Sequence, residues 1–580
     1  MFDPRRFSRL GRWLRAGLLV ALGLAAAPLN AVAQAPAVPL PPQGSPIPRI
    51  APQAPQPTLP QLTPAPLPAA NLPAANVAVT SVTVEGATAF PASALLALSG
   101  SLTGDHTSLR DIEAARRAIL LRYRDGGFPF VVVAARVDKG GLLRFLITEG
   151  FIADIKLSGD VGPVGTLVLK FLKHLVGQRP VKNADIEYWL LLAQTIPGLQ
   201  VQPIIQPSER EPGAFTLIAK VSHSKVSGSA AIDNAAFNQT GSGEALLTAG
   251  INSLTAWGER SEASFYLAGP NGRQVFGQAS EQFFVGGSGL SVRLYAGKGD
   301  TLPCCDLAAI NYDGKTSVVG GSVSYPLLLS RHQQLYVRGL FDALDTETLE
   351  GGSRASGDSL RTVRAEADYN LSDSILGTNM PGVSTAGLRV SKGLAGLGAS
   401  SNGRPNAGRL NENVQFTKVD GEITRDQTLA YLPEGGPRVS LFGLFTGQAS
   451  ADIMPSAEQF YLGGLRYTRG FYVGQVSGDQ AVAATAELRL SWDTVVDVFG
   501  TGPLALTPQV FAFYDWGETW QNQATDANHI LRSFGIGVRS GFGPNVRADA
   551  LLVQRVTRDL GSGTSAEPVN AFYARLVTLF

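Results

Sequence analysis

The sequence predicts a membrane β protein: a transmembrane β-barrel of about 16 strands behind two small α/β modules. Three observations predict it: a leader at the N-terminus, a β-α-α-β-β order that occurs twice, and a long alternating tract ending on a phenylalanine. A chain of 580 residues also exceeds one ordinary domain, so several domains or one very large sheet are required.

Composition narrows the function classes. The chain is 44% hydrophobic and 16% charged, with 65 glycines, two cysteines and a formal net charge of +1. That balance offers no basic field for nucleic acid. His106, His174, His223, His332 and His529 are dispersed without ligand spacing, so no metal or other cofactor is expected. No G-x-S-x-G elbow occurs. Gly314-Lys315-Thr316 ends like a phosphate loop, but Ala309 stands where its first glycine belongs, and Lys315 reads as a strand or rim charge. The chain is not expected to be an enzyme. Cys304 and Cys305 are adjacent, and a bond between neighbours strains the peptide joining them, so they are read as loop residues, with a disulfide between them as the lesser alternative and a metal site, which no CxxC or nearby histidine completes, below it.

Residues 1–33 read as a secretory signal. Arg5, Arg6, Arg9, Arg12 and Arg15 precede an apolar run from Ala16 to Pro28, and Ala31 and Ala33 form an A-x-A cleavage pattern. The run is shorter than the ~20 apolar residues a spanning helix needs. Residues 34–76 are dominated by proline and alanine, which forbid helix and ladder alike and leave an extended spacer.

Residues 77–149 form the first module. "VAVTSVTVEG" alternates as a strand, and Pro91 can start the short helix "PASALLAL". A longer helix has Ser108 as N-cap, Ile112, Ala115, Ile119 and Tyr123 near a 3.6 period, and Gly126 as its stop. Strands "FVVVAARV" and "LLRFLITEG" follow. Residues 150–226 run through the same order in "FIADIKLSG", "GTLVLKFLKHLV", "NADIEYWLLLAQTI", "LQVQPIIQPS" and "AFTLIAKVSHSKV". A repeat of about 75 residues is too long for a helical solenoid and fits two copies of one module.

From 227 to 580 helical periodicity disappears, and roughly sixteen alternating segments follow, as a barrel of ~10-residue strands requires. In "VRADALLVQR", Val546, Ala548, Ala550 and Leu552 share one face while Arg547, Asp549 and Leu551 share the other, which suits lipid on one side and a wet interior on the other. The final strand sets Phe572, Ala574, Leu576, Thr578 and Phe580 on one face. Phe572, Leu576 and Phe580 are expected to form a C-terminal assembly signal. In "FAFYDWGETW", Phe511, Phe513, Asp515 and Gly517 fall opposite Val510, Ala512, Tyr514 and Trp516, so Asp515 faces inward. An inward carboxylate invites a donor, and the planar guanidinium of Arg469 in "FYLGGLRYTRGFYVGQVSGD" can bind it through two parallel hydrogen bonds. Gly470 beside it permits a turn that a larger residue resists.

This layout resembles the TpsB branch of the Omp85 superfamily, the FhaC/ShlB-type outer-membrane transporters of two-partner secretion. The resemblance runs from Val77 to Phe580. It makes the two modules POTRA-like and periplasmic. It also makes Phe460, Gly463, Gly464, Arg469, Gly470, Phe471, Tyr472 and Asp479 an extracellular loop that folds into the lumen. Phe513, Asp515 and Gly517 match the family's F-x-D-x-G pattern on the inner wall, and Ser324 to Val337 resembles a short periplasmic turn. Family members often carry a plug helix after the signal, which the prolines of 34–76 exclude here. The resemblance implies an outer-membrane protein that exports an unfolded haemolysin-, haemagglutinin- or adhesin-like exoprotein, with no nucleic-acid partner. Its other expected partners are outer-membrane lipid and, during biogenesis, the barrel assembly machinery, and the transporter itself is expected to be a monomer. The competing reading is an Omp85-type assembly factor, although such proteins usually carry three or more modules.

Overall fold

A computed structural model describes residues 75–433, 436–497, 502–558 and 568–580. The signal and nearly all of the proline-rich spacer lie outside the described residues.

The first module is more divided than its sequence suggests. "VAVTSVTVEG" is not one strand: it breaks at Thr80 into β1 (Asn76–Val79) and β2 (Ser81–Glu85). Each half finds a different partner. After a short helix α1 (Ala92–Leu96), β1 pairs with an unanticipated strand β3 (Gly104–Ser108), which holds the chain against the start of helix α2 (Leu109–Asp125). Strand β2 instead runs parallel to β5 (Leu142–Glu149), whose other edge takes β4 (Val131–Val137). The Ser108 side chain accepts from the N–H of Arg110 at 3.1 Å, and α2 ends at Gly126. Its apolar stripe of Ile112, Ala115, Ile119 and Tyr123 is buried against Leu143 and Phe145 of β5.

The second module packs helices α3 (Gly165–Leu172) and α4 (Asn183–Gln194) on one sheet. There β6 (Phe151–Gly159) runs parallel to β8 (Ala214–His223), with β7 (Leu199–Pro207) antiparallel on the far edge of β8. Its core continues into the barrel, because Phe284, Leu329 and Tyr336 belong to the same buried cluster as Phe171 and Leu191. Polar contacts reinforce this seat. Tyr188 donates to the carbonyl of Pro326 at 3.1 Å, Ser253 donates to that of Pro197 at 2.6 Å, and Glu187 lies 3.5 Å from Arg331.

The barrel begins with β9 (Val226–Asp233), β10 (Gly243–Asn252), β11 (Arg260–Gly269) and β12 (Arg273–Val285). Strand β13 (Leu290–Leu302) leads through a short helix α5 (Cys305–Ala309) to β14 (Asp313–Leu329), β15 (Gln333–Glu350) and β16 (Ser353–Asp373). Next come β17 (Gly382–Gly393), β18 (Thr417–Tyr431) and β19 (Arg438–Ser450). A small hairpin of β20 (Phe460–Leu462) and β21 (Val476–Gly478) interrupts the wall before β22 (Gln480–Ser491). After the short strands β23 (Thr494–Asp497) and β24 (Pro503–Leu506), the wall ends with β25 (Gln509–Trp520), β26 (His529–Phe542), β27 (Val546–Arg555) and β28 (Asn570–Leu579).

Neighbours pair antiparallel throughout, and β28 returns to β9 through Arg575↔Asp233 to Leu579↔Ser229. Because β22 also pairs directly with β25, from Gln480↔Trp520 to Ser491↔Gln509, strands β23 and β24 form an added hairpin and the wall closes with sixteen spanning strands. Alternation sorts the faces as the sequence predicts: Val510, Tyr514, Leu552, Phe572 and Leu576 are exposed outward, while Asp515, Leu551 and Arg555 are buried inward. Among the described residues no helix is long and apolar enough to cross a membrane.

Cys304 and Cys305 correct the sequence reading. They are joined by a disulfide in the connection between β13 and β14, where Cys305 adopts a positive φ of 63°.

Candidate functional site

The connection between β19 and β22, residues 451–479, does not stay outside the barrel. Its β20–β21 hairpin carries a tip that lies against the inner wall of β22, β25, β26 and β27. Arg469 makes the central contact. Its Nε and Nη2 donate to the two carboxylate oxygens of Asp515 at 2.8 and 2.7 Å, and its own backbone N–H donates to Oδ2 at 2.8 Å. The remaining guanidinium nitrogen, Nη1, bonds Glu487 of β22. Below the guanidinium lies the ring of Phe513, with 3.7 Å between its centroid and Cζ. All four residues are buried, and Asp515 completely so.

Backbone atoms of the tip are held too. Ser533 donates to the carbonyl of Arg469, and Arg555 donates to that of Gly470. Gly470 turns at φ +102°, a conformation L side chains rarely adopt, with Val553 packed against it. Gly463 and Gly464, also at positive φ, fold the incoming strand back beneath Tyr472 and Val473. Gly517 serves differently: a Cβ there would stand 2.8 Å from both Leu462 and Thr468, so the bare backbone lets the hairpin approach the wall.

Phe471 is buried among Leu462, Val476, Ala483 and Leu531, and Phe460 packs on Tyr467 with 5.6 Å between ring centroids. Asp479, fully buried at the loop's exit, accepts from Arg409 at 2.6 Å, from the N–H of Met454 at 2.9 Å and from that of Asn522 at 2.8 Å. The predicted loop and wall residues are therefore one constellation. Phe572, Leu576 and Phe580 are not part of it; they lie on the outer face at the closing strand, where Phe580 exchanges two backbone hydrogen bonds with Gly228 at 2.7 and 3.0 Å.

Sequence reasoning missed Glu487, Ser533, Arg555 and Arg409. Alternation in "ATAELRLS" marks Glu487 as inward, but nothing in that pattern says which inward residue meets a loop eighteen positions away. Toward the modules, the lumen opens into a cavity of about 1280 Å³, lined by Gln274, Gln278 and Arg293 of the wall and by the second module at Leu192 and Thr195. Among the described residues no group of His, Cys, Asp and Glu is arranged to hold a metal ion.

A barrel that seats an α/β module at one mouth and holds a charged hairpin across its interior is the architecture of an outer-membrane protein transporter. Comparison with family models matches residues 217–540, more than half of the chain, to the haemolysin secretion/activation protein ShlB/FhaC/HecB, and residues 77–150 to the ShlB-type POTRA domain. The chain belongs to the ShlB/FhaC/HecB family, and its POTRA-type region lies on the periplasmic side of the outer membrane. Among solved structures, CdiB from Escherichia coli is similar with a TM-score of 0.70 at 18% identity, over 90% of this chain and 93% of that one. CdiB from Acinetobacter baumannii gives 0.60 at 14% identity, over 99% and 97%. No curated protein sequence matches the chain. The family is one of two-partner secretion transporters.

Proposed function

We propose that this transporter exports one unfolded partner protein, and that the Arg469–Asp515 contact latches the hairpin that obstructs its path. The partner's extended segments pair with free sheet edges of the two periplasmic modules, whose outer strands are β2 and β4 in the first and β6 and β7 in the second. The chain then enters the cavity beneath the hairpin and passes outward as the hairpin shifts. Folding of the exported chain beyond the membrane supplies the free energy, since no nucleotide is available in the periplasm.

The observation that carries this reading is the buried Arg469 bridging Asp515 and Glu487 from a loop that connectivity alone leaves outside. Buried charges held from both sides fix one geometry, and removing either side leaves an uncompensated charge. Deleting the gene in its host and comparing the secreted and outer-membrane proteomes tests the function. Loss of a single haemolysin-like or adhesin-like protein from the medium is expected. A general loss of outer-membrane barrels would instead make the chain an assembly factor.

A further inference from the structure

The latch at Arg469 fastens the tip of the hairpin, and the root of the same loop has a fastening of its own, to β16 and β18. Glu458, on a single 3-10 turn at Ser456–Glu458, is buried at 4% exposure. Arg364 of β16 reaches it with two nitrogens, Nη2 to Oε1 at 2.7 Å and Nη1 to Oε2 at 3.2 Å. Lys418 of β18 bonds the same carboxylate at 2.8 Å and the Glu458 carbonyl at 2.8 Å. Arg364 is itself held by Asp342 of β15 at 2.9 Å, and Asp342 accepts from Tyr295 of β13. Gln448 of β19 completes the seat, donating to the carbonyls of both Glu458 and Asp479 at 3.2 Å.

We infer that Glu458 is a second positioning residue for export, a root lock that must release along with the tip latch before the lumen opens. The argument rests on burial and placement. A carboxylate this buried needs its two cations, and both cations need it, so neither side separates without leaving charge in a poorly solvated site. The two fastenings also take different residues of the loop to different parts of the wall: Arg364 and Lys418 of β16 and β18 hold the root, whereas β22, β25, β26 and β27 hold Arg469 and Gly470 at the tip. Arg466 and Tyr467 of the tip add bonds to Glu422 of β18 at 2.7 and 2.6 Å. Pinned at both root and tip, the loop stays in the lumen.

Placement puts the root lock within reach of an arriving chain. Glu458, Arg364 and Asp342 line the periplasmic cavity, as does Val473 of the hairpin. Peptide carbonyls and carboxylates of an extended segment are the groups able to replace Glu458 on Arg364.

This inference rests on the reading that the hairpin obstructs the lumen, and the test separates the two. Purified protein is placed in planar lipid bilayers and the fraction of time in the conducting state is recorded for Glu458→Gln, Arg364→Gln, their double variant and Asp515→Asn. Folding is checked by the heat-dependent gel shift of the intact barrel, and Lys418→Gln serves as a second probe if Arg364→Gln folds poorly. Each root variant is expected to raise the conducting fraction at least threefold. The double variant is expected to do no more than either single one, because both remove the same contact, and the heat-dependent gel shift is expected to stay at wild type; a merely structural role would move the gel shift together with the conductance. Wild-type conductance in the root variants, with Asp515→Asn opening the channel, would overturn the root lock and leave the obstruction standing. Wild-type conductance in all variants would overturn both.

Discussion

Asp515 and Glu487 stand on adjacent strands two residues apart in register and on the same face, Asp515 facing Thr485 and Glu487 facing Phe513 across the β22–β25 ladder. Both carboxylates are buried, and the guanidinium of Arg469 bonds each of them. Arg489 at 2.6 Å and Arg539 at 3.8 Å share the outer oxygen of Glu487, so the wall carries a small network rather than an isolated pair.

The network shapes the outcome of charge exchange. Arg469→Ala strands the buried carboxylate of Asp515, while Glu487 keeps Arg489, a change that costs about 3 to 5 kcal/mol in a dry site and less where water enters. Secretion of the partner is expected to fall at least tenfold at normal barrel abundance, read by immunoblot of medium and outer membrane. Combining Arg469→Glu with Asp515→Arg is expected to recover only part of this loss, because Glu487 then repels the new carboxylate. Adding Glu487→Gln should raise the recovery. Full secretion by Arg469→Ala would contradict the latch.

Gly517 gives a steric counterpart. Gly517→Val places methyl groups into the space held by Leu462 and Thr468, so the hairpin is expected to lift from the wall and become cleavable by added protease in folded barrels. Ala512→Leu, on the lipid face of the same strand, is the control and should change nothing. Equal protease resistance in both variants would count against close packing of the hairpin.

Much of this arrangement is legible in the sequence, and the residues show why. The alternation that put Asp515 inside and Trp516 outside is a local property of the pleat, so a single strand reveals it. The helix from Leu109 likewise announces itself through Ser108, its apolar period and Gly126. What stayed hidden depends on partners distant in sequence. Strand β3 has no apolar period and exists because β1 needs an edge; Glu458 lies 94 residues from Arg364, and nothing near it signals a bond. The Cys304–Cys305 disulfide ranks low in the sequence for a different reason, since neighbouring cysteines pair only where the local backbone turns to let them.

The first module carries a pH-dependent tie. Glu149, at the end of β5, accepts from the N–H groups of Thr88 and Ala89 at 2.8 and 2.9 Å and from the Tyr123 hydroxyl at 2.7 Å. Burial pushes this carboxyl up, but the hydrogen bonds from Thr88, Ala89 and Tyr123 outweigh it and hold it below its usual range. A depressed value stabilises the fold above the unfolded carboxylate pKa of about 4.3 and loses that contribution as pH falls through the folded value. Thermal unfolding of the helical signal, followed between pH 7 and pH 3, is expected to steepen below about pH 4.3. Glu149→Gln should lower the midpoint at pH 7 and flatten that decline. An unchanged slope in the variant would assign the acid sensitivity elsewhere.

At the barrel's closing edge, Phe580 completes the β28–β9 ladder through Gly228. Deleting Phe580 removes two backbone hydrogen bonds and the exposed aromatic, so outer-membrane abundance is expected to drop several-fold, with the residual protein still heat-modifiable. Undiminished abundance would show that assembly does not read this residue.

The most direct measurement fixes the hairpin covalently to the wall. A Cβ at position 470 would lie 3.5 Å from that of Ser533, within the spacing a disulfide requires, but 2.8 Å from a methyl of Val553 at a strained φ of +102°, so the pair is introduced together with Val553→Ala and export is first confirmed in its reduced form. With Gly470→Cys and Ser533→Cys fully crosslinked, export is expected to stop, then return on reduction to the level of the Gly470→Cys variant alone, with reduced wild type as the control for the Cys304–Cys305 bond. Continued export through barrels whose crosslink is complete would show that the partner passes without moving the loop, and the latch would have no part in transport.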